Sequence, residues 1–269
     1  MICCCNTQSI LVIVGFQRKN FGGSIGNASF AALDGATGSV LWYYDLGITS
    51  AGSTALPYIP GRPLIDSSGN IYLPIFGLTA ASGLGGKFSS SRLLKFDKTG
   101  ALLWTYDPGD STADCQQGAS IGFANFQVAG ACFDSSGNIV WGRFCSDTTN
   151  YNYAYKVDTS GSLVTTYSTH GTGFGGLADA TLITGSNTGP VARIALDASD
   201  NVYWVAPNDR NRIVKVNSSG AFQSATGLGL GNYAGVAGTD QTAGIANSLV
   251  CDTTNSKLFI GIASSIVSA

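Results

Sequence analysis

Two kinds of short polar turn alternate along this 269-residue chain, and their order constrains the fold more than any other feature. The first kind reads Asp66-Ser67-Ser68-Gly69-Asn70, Asp134-Ser135-Ser136-Gly137-Asn138 and Asp197-Ala198-Ser199-Asp200-Asn201, with a looser copy at Asp252-Thr253-Thr254-Asn255. The second reads Asp34-Gly35-Ala36-Thr37-Gly38, Asp97-Lys98-Thr99-Gly100, Asp158-Thr159-Ser160-Gly161 and Asn217-Ser218-Ser219-Gly220. Each is flanked by short β-branched and aromatic runs, so each marks a hairpin. Two hairpins in a period of about 60 residues spell a unit of four antiparallel strands, repeated along the chain.

The clearest copy runs Ala192–Asp197, Asn201–Val205, Arg212–Asn217 and Ala221–Gln223, giving strands A, B, C and D of one meander. Strand B recurs at Ile71–Leu73, Ile139–Trp141 and Leu258–Ile260; strand C recurs at Leu93–Asp97 and Tyr153–Asp158. Alternation places Lys95, Lys156 and Lys215 on one side of their strands. The expected architecture is an all-β protein, a β-propeller of four-stranded antiparallel blades forming one domain over residues 1–269. Blades are expected at about 1–45, 63–107, 128–168 and 190–227, with an incomplete one at 245–269. In blade one the expected strands are Met1–Asn6, Ile10–Phe16, Ser29–Asp34 and Ser39–Asp45. About four and a half blades do not close a ring, so the expectation is a piece of a longer polypeptide, the alternative being a second chain that completes the fifth blade.

Composition agrees with this and prunes chemistry. Only 11% of residues are charged, with 16 Asp, no Glu, one His and one Met, against 36 Gly. Good helix formers are scarce, and turn and strand formers abound. No Glu general acid, no Glu metal ligand and no two-histidine metal site can exist. The net charge of −2 and dispersed basic residues leave no electrostatic footprint for nucleic acid or a membrane surface. The apolar run Ile10–Val14 is too short and lacks the basic flank of a signal peptide, so it reads as a strand. No stretch is long enough to span a bilayer. The seven cysteines (Cys3, Cys4, Cys5, Cys115, Cys132, Cys145 and Cys251) contain no CxxC pair and are odd in number. They read as free thiols packed in inner strands, with a metal or redox role for Cys3–Cys5 as the alternative. No cofactor and no metal are expected.

The segment Ala32-Leu33-Asp34-Gly35-Ala36-Thr37-Gly38-Ser39-Val40-Leu41-Trp42 resembles the AxDxxTGxxxW repeat of pyrroloquinoline-quinone-type propellers, and Phe96–Trp104 resembles it too. The resemblance implies that Trp42 and Trp104 dock on a neighbouring blade. Thr165 and Ser224 stand where blades three and four would carry that Trp. The Asp-x-x-Gly-Asn turns are similar instead to those of NHL and gluconolactonase-like propellers. Quinoprotein dehydrogenases require an eight-bladed ring and a calcium site with Glu and Asn ligands, and gluconolactonase-like enzymes use a Glu ligand. A chain without Glu inherits neither activity from the resemblance.

Asp66, Ser68 and Asn70, and their copies, offer oxygens to a calcium ion, but with one carboxylate per loop. The turn reading fits better: Asp caps the turn, Gly takes positive φ, and Asn tolerates the left-handed region. Asp34, Asp66, Asn70, Asp97, Asp134, Asn138, Asp158 and Asp197 are therefore structural turn positions, and Trp42 and Trp104 docking positions. His170, nine residues before Asp179, has no nucleophile motif beside it, and Gly171–Gly176 lacks the Lys of a phosphate loop. In a propeller the A–B and C–D turns share one face and the D-to-A connections share the other. The latter are long here: 46–62, 108–127, 169–189 and 228–244. Rich in Gly, Ser, Thr, Ala and Asn with scattered aromatics, they suit adaptable recognition. Candidate binding residues on that face are Tyr58, Arg62, Asp114, Phe123, Phe126, His170, Phe174, Asp179, Tyr233 and Asp240.

The texture of the chain resembles that of viral structural proteins, particularly tail or capsid-decoration components of bacteriophages. It implies a non-enzymatic structural or adhesion module of a virion, made in the host cytoplasm. Its partners would be other structural proteins or a cell-surface glycan or protein, in a homo- or hetero-oligomer. The alternatives are an extracytoplasmic (periplasmic) bacterial scaffold similar to outer-membrane assembly factors, and a propeller enzyme of lactonase or dehydrogenase type.

Overall fold

The computed structural model describes residues 11–19, 25–47, 59–80, 85–108, 121–122, 130–142, 153–168, 194–206, 212–227 and 245–263. Within them every regular element is a β-strand, paired antiparallel, in chain order everywhere but in blade two. Blade one contributes β1 (Leu11–Lys19), β2 (Ile25–Asp34) and β3 (Val40–Gly47), its B, C and D strands. Strand B runs on to Lys19 and strand C begins at Ile25, both longer than the sequence pattern suggested. The expected strand A at Met1–Asn6, with Cys3, Cys4 and Cys5, lies outside the described residues.

Blade two contains β4 (Ile59–Pro60), β5 (Leu64–Ile65), β6 (Ile71–Ala80), β7 (Gly85–Phe96), β8 (Leu102–Tyr106) and β9 (Ile121–Gly122). Blade three contains β10 (Ala131–Phe133), β11 (Ile139–Gly142), β12 (Tyr153–Val157) and β13 (Leu163–Ser168), and blade four contains β14 (Ile194–Leu196), β15 (Val202–Ala206), β16 (Arg212–Val216) and β17 (Phe222–Gly227). β18 (Ile245–Asp252) and β19 (Lys257–Ala263) are the A and B strands of a fifth sheet. The fold is thus an all-β array of propeller blades, and no closed ring is seen among the described residues.

Blade two departs from the repeat. Its β6–β7 hairpin overshoots the blade, and its two open edges take up a short strand each. β4 pairs with β6 through Ile59 opposite Phe76, and β9 pairs with β7 through Gly122 opposite Gly85. Segments read from sequence as irregular connections therefore extend this sheet. A second regularity is a bulge near the start of each described D strand. Phe96 faces Leu102 while Lys95 faces Trp104, and the same one-residue slip separates Val157–Leu163 from Lys156–Thr165 and Val216–Phe222 from Lys215–Ser224. A bulge on an outer strand sharpens its twist and makes it a poor template for another chain.

The core lies between blades. Because side chains alternate along a strand, each sheet has two apolar faces and buries one on each neighbour. Ile71, Leu73 and Phe96 of blade two pack on Phe30 and Ala32 of blade one, whereas Tyr72 and Leu93 pack on Ile139, Trp141 and Val157 of blade three. Val140, Ala154 and Tyr167 of blade three in turn meet Val202, Trp204 and Val216 of blade four, and Ala195 meets Leu249 of the fifth sheet. Trp141 and Trp204 hold the same strand-B position; among the described residues nothing accepts a hydrogen bond from either buried Nε1. Phe96 is the hinge of the first interface, its ring 5.4 Å from that of Phe30 and 4.8 Å from that of Tyr44. Removing it is expected to cost about 3–5 kcal/mol, as buried aromatic truncations do. Leu103→Ala, at a half-exposed bulge position, is expected to cost under about 1 kcal/mol. Urea unfolding of the two variants checks the contrast.

Candidate functional site

The tight-turn face is built from carboxylates with donors on nearly every side. Asp66 Oδ1 accepts from the Ser68 and Asn70 backbone N–H groups at 2.9 and 2.8 Å, and Oδ2 accepts from Asn70 Nδ2 at 2.8 Å and the Tyr72 hydroxyl at 3.1 Å. Asp197 repeats this with Ser199, Asn201 and Tyr203. Asp134 keeps the backbone and Asn138 bonds, but Val140 replaces the tyrosine, and Lys156 Nζ fills the place at 3.1 Å. Asp252 follows the same scheme with Thr254 and Asn255. In these turns Gly69 and Gly137 carry the left-handed conformation, at φ +84° and +81°, and Asp200 takes the equivalent place at +58°. The Asn does not adopt the left-handed region expected of it. It donates its side-chain amide back to the Asp.

The second kind of turn uses a single oxygen. Asp97 Oδ1 accepts from Thr99 N, Thr99 Oγ1 and Ala101 N, and Asp158 and Asn217 do the same with Ser160, Ser162, Ser219 and Ala221. Asn217 fits because only one acceptor oxygen is needed, and the charge is dispensable. Asp34 caps Ala36 and Thr37 likewise.

These turns are also where blades latch. The Trp42 indole N–H donates to the Lys98 carbonyl and lies over Gly100; the Trp104 indole donates to the Thr159 carbonyl and lies over Gly161, each bond 3.1 Å. Lys95 Nζ reaches the same Thr159 carbonyl at 2.8 Å. Blade three has Thr165 at the Trp position, and there the latch moves two residues on. The buried Tyr167 donates its hydroxyl to the Ser218 carbonyl at 3.3 Å, in the equivalent turn of blade four. Asp200 adds a further link, accepting from Ser135 N at 2.8 Å and Ser135 Oγ at 2.5 Å across the same junction. Tyr72, Tyr203 and Tyr167 were not singled out in the sequence as site residues; Lys156 was placed only on one side of its strand, and Asp200 only within its turn. The one usable signal was an aromatic residue six positions after Asp66 and Asp197.

Electrostatics argue against acid–base work here. Burial pushes the carboxyls of Asp66, Asp134 and Asp197 up, but the hydrogen bonds from Asn70, Asn138 and Asn201, with Lys156 at Asp134, outweigh it and hold all three below the usual range. Such groups stay ionised at neutral pH and have donors on both oxygens. Burial raises Tyr72, and the charge of Asp66 raises it further. Burial also pushes the Cys132 thiol up to about 11, only partly offset by the Arg62 charge, so the group is not a reactive thiolate. Cys132 and Cys251 are free, and Cys132 Sγ donates to the Ile194 carbonyl. Among the described residues no group of three or more His, Cys and Asp side chains is placed to hold a metal ion, and no helix is long and apolar enough to cross a membrane.

Of the candidate binding residues, Arg62 is described: it is exposed just before β5. Tyr58, Asp114, Phe123, Phe126, His170, Phe174, Asp179, Tyr233 and Asp240 lie outside the described residues.

No known protein family and no curated protein matches this sequence. Among solved structures, a protein of unknown function from Bacteroides caccae is similar to this chain with a TM-score of 0.49 and 12% identity, over 89% of this chain. The chain spans 62% of that protein's length. A proposed 6-phosphogluconolactonase from Bacteroides fragilis is similar with a TM-score of 0.35 and 10% identity, over 95% of this chain and 82% of that one.

The turns yield two expectations. A Cβ on Gly100 would meet Trp42 Cδ2 at 2.5 Å with φ at +89°, whereas one on Gly137 meets nothing within 4 Å at +81°. Gly137→Ala is expected to cost about 1 kcal/mol of backbone strain, and Gly100→Ala about 2–4 kcal/mol, since overpacking adds to the strain; chemical denaturation gives both. For Asp134 the folded-state pKa lies below the unfolded one. Its stabilisation is complete above the ordinary aspartate value of about 3.9 and is lost as pH falls through the lower folded value. Asp134→Asn is expected to lower stability at pH 7 and to flatten its loss below about pH 5. Lys156→Met leaves a buried carboxylate unpaired and is expected to cost about 3–5 kcal/mol at pH 7, the double variant costing less than the sum. Thermal unfolding across pH checks the set.

Proposed function

We propose that this chain is a non-enzymatic recognition propeller. Its blades and tight turns form a rigid scaffold, and its D-to-A connections present a surface to a protein or a glycan. One observation carries this reading: the described turn carboxylates already hold their hydrogen-bond donors within the protein, so that face has little polar capacity left for a ligand. The candidate recognition residues belong by sequence position to the D-to-A connections, among small polar residues and scattered aromatics. Tyr58, Arg62, Phe123, Phe126, Phe174 and Tyr233 are the anchors of this proposal, and Asp114, His170, Asp179 and Asp240 its polar contacts. Aromatic anchors in an adaptable polar surround are the composition that recognition surfaces favour.

The biological setting we assign is a virion, with the chain as a tail or capsid-associated component that contacts other structural proteins or a cell-surface glycan or protein. Its support is the texture of the sequence: 11% charge, 16 Asp without a single Glu, and 36 Gly in a β-rich chain. Two measurements test the reading. Binding of the protein to a glycan array and to intact bacterial cells is expected to be saturable. Tyr58→Ala, Phe174→Ala and Tyr233→Ala should weaken it roughly 10-fold or more, as anchor truncations do, with unfolding midpoints unchanged. The protein is also expected in purified phage particles by mass spectrometry. Lactone hydrolysis by the purified chain, or its recovery from a bacterial periplasm, would overturn the assignment.

A further inference from the structure

The first two blades are taller than blades three and four on the side away from the tight turns. In blade four the B–C hairpin pairs from Val202 opposite Val216 to Ala206 opposite Arg212, and in blade three β11 spans four residues. β1 has nine residues and β6 has ten. Both continue past that level as arms: β1 through Gln17 and Lys19 against β2, and β6 from Phe76 to Ala80 against β7. At about 3.4 Å per residue, the second arm projects roughly 17 Å. β4 joins the two, pairing with β6 at Ile75 and Phe76 and touching β2 of blade one. Each arm carries an irregularity in its pairing, between Gln17 and Lys19 in the first and between Gly77 and Leu78 in the second. Bulges of this kind re-aim side chains and discourage further strand pairing.

Charge on these arms has one sign. Residues 15–33, 46–65 and 67–96 contain no Asp, and the chain has no Glu. The cations they hold away from the tight turns are Arg18 and Lys19 on β1, Arg62 just after β4, and Lys87 and Arg92 on β7. Arg92 is matched by Asp107 at 2.8 Å. The corresponding connections of later blades mix the signs, with Asp147, Asp179, Asp209 and Asp240, and the tight turns open on Asp, Asn217 excepted. Basic residues dispersed in the sequence are thus gathered on two neighbouring blades, on the face proposed above for recognition. We infer that the arms of blades one and two, with the β4 segment, bind an acidic polysaccharide, a glycan carrying carboxylates along its length. The inference rests on the recognition reading and names its ligand class. A guanidinium forks onto a carboxylate through two N–H groups, which suits Arg18 and Arg62. The cations come one or two per element, separated by Ser, Thr, Gly and Asn. That spacing fits charges repeated along a hydroxyl-rich chain, whereas protein interfaces are depleted of charge at their centre.

Biolayer interferometry of the 269-residue chain on immobilised polygalacturonate, alginate and hyaluronate tests this. Saturable binding to at least one of them is expected, weakening as salt rises because the attraction is screened. The methyl ester of the bound polymer, with the same backbone and no charge, is expected not to bind. Arg18→Gln and Lys87→Gln should each weaken binding about 10-fold, the loss of one charge-assisted hydrogen bond. Lys257→Gln, exposed beside a tight turn, should leave it unchanged. The salt series and the methyl ester use the wild type, so they decide the matter even if a variant fails to fold. Failure of all three acidic polymers to bind overturns the inference, as do equal binding of the methyl ester and arm variants that bind like the wild type. Equal binding of poly-L-glutamate overturns it in favour of an acidic polypeptide. Saturable binding to neutral glycans that is lost in Tyr58→Ala overturns it and leaves the recognition reading standing. No saturable binding to any glycan or cell overturns both.

Discussion

The structure depends on how one blade grips the next. A single four-stranded sheet has two apolar faces and too little area to hold itself together, so each must be covered by a neighbour. The Trp42 and Trp104 indoles set the spacing of that cover. Each lies on a glycine of the following turn and donates to a carbonyl two residues earlier in it, which positions a whole sheet through one flat side chain. Where the Trp is missing, Tyr167 reaches the equivalent Ser218 carbonyl from two residues farther along its strand. The latch is thus a geometric requirement that two different side chains meet. Ordinary alternation then does the rest, sending Ile71 and Leu73 to one interface and Tyr72 to the other.

The polar side of each junction is handled beneath the same turns. Asp66 and Asp197 are closed off by a tyrosine hydroxyl, and Asp134 by a buried lysine, so the position tolerates either a neutral or a charged donor as long as Oδ2 is filled. Lys95 and Lys215 lie over the rings of Tyr72 and Tyr203, and Lys215 Nζ stands 3.7 Å from Asp197 Oδ2. A face organised this way is stiff and chemically quiet. That is the property a scaffold needs if recognition is carried by the connections on its opposite side.

Legibility from sequence follows the range of the interactions. Turn identity and strand order were readable because their causes are local: Asp97 caps groups within four residues, and Gly100 must be glycine at φ +89°. Contacts across blades were not, apart from the indole motif itself. Asp200 looks like a defect in an Asp-x-x-Gly-Asn turn, and only the fold brings its carboxylate to Ser135, 65 residues away. Tyr167 carries no pattern of its own, and the strand-C alternation that aligned Lys156 with Lys95 and Lys215 did not name its partner Asp134. The overshoot of β6 and β7 was also hidden, because β4 and β9 are two-residue strands that exist only where that hairpin offers an edge. Of the candidate recognition residues, only Arg62 has a place in the described fold.

The central claim is that turns and blade interfaces form one cooperative unit. Native-state amide hydrogen exchange tests it residue by residue. The Ser68, Asn70, Asn138 and Asn201 amides, bonded to turn carboxylates at 2.8–3.0 Å, are predicted to exchange with the same opening free energy as the Tyr72, Val140 and Tyr203 amides of the adjoining strands. Turn amides that exchange as fast as exposed loops while those strands stay protected would contradict the account.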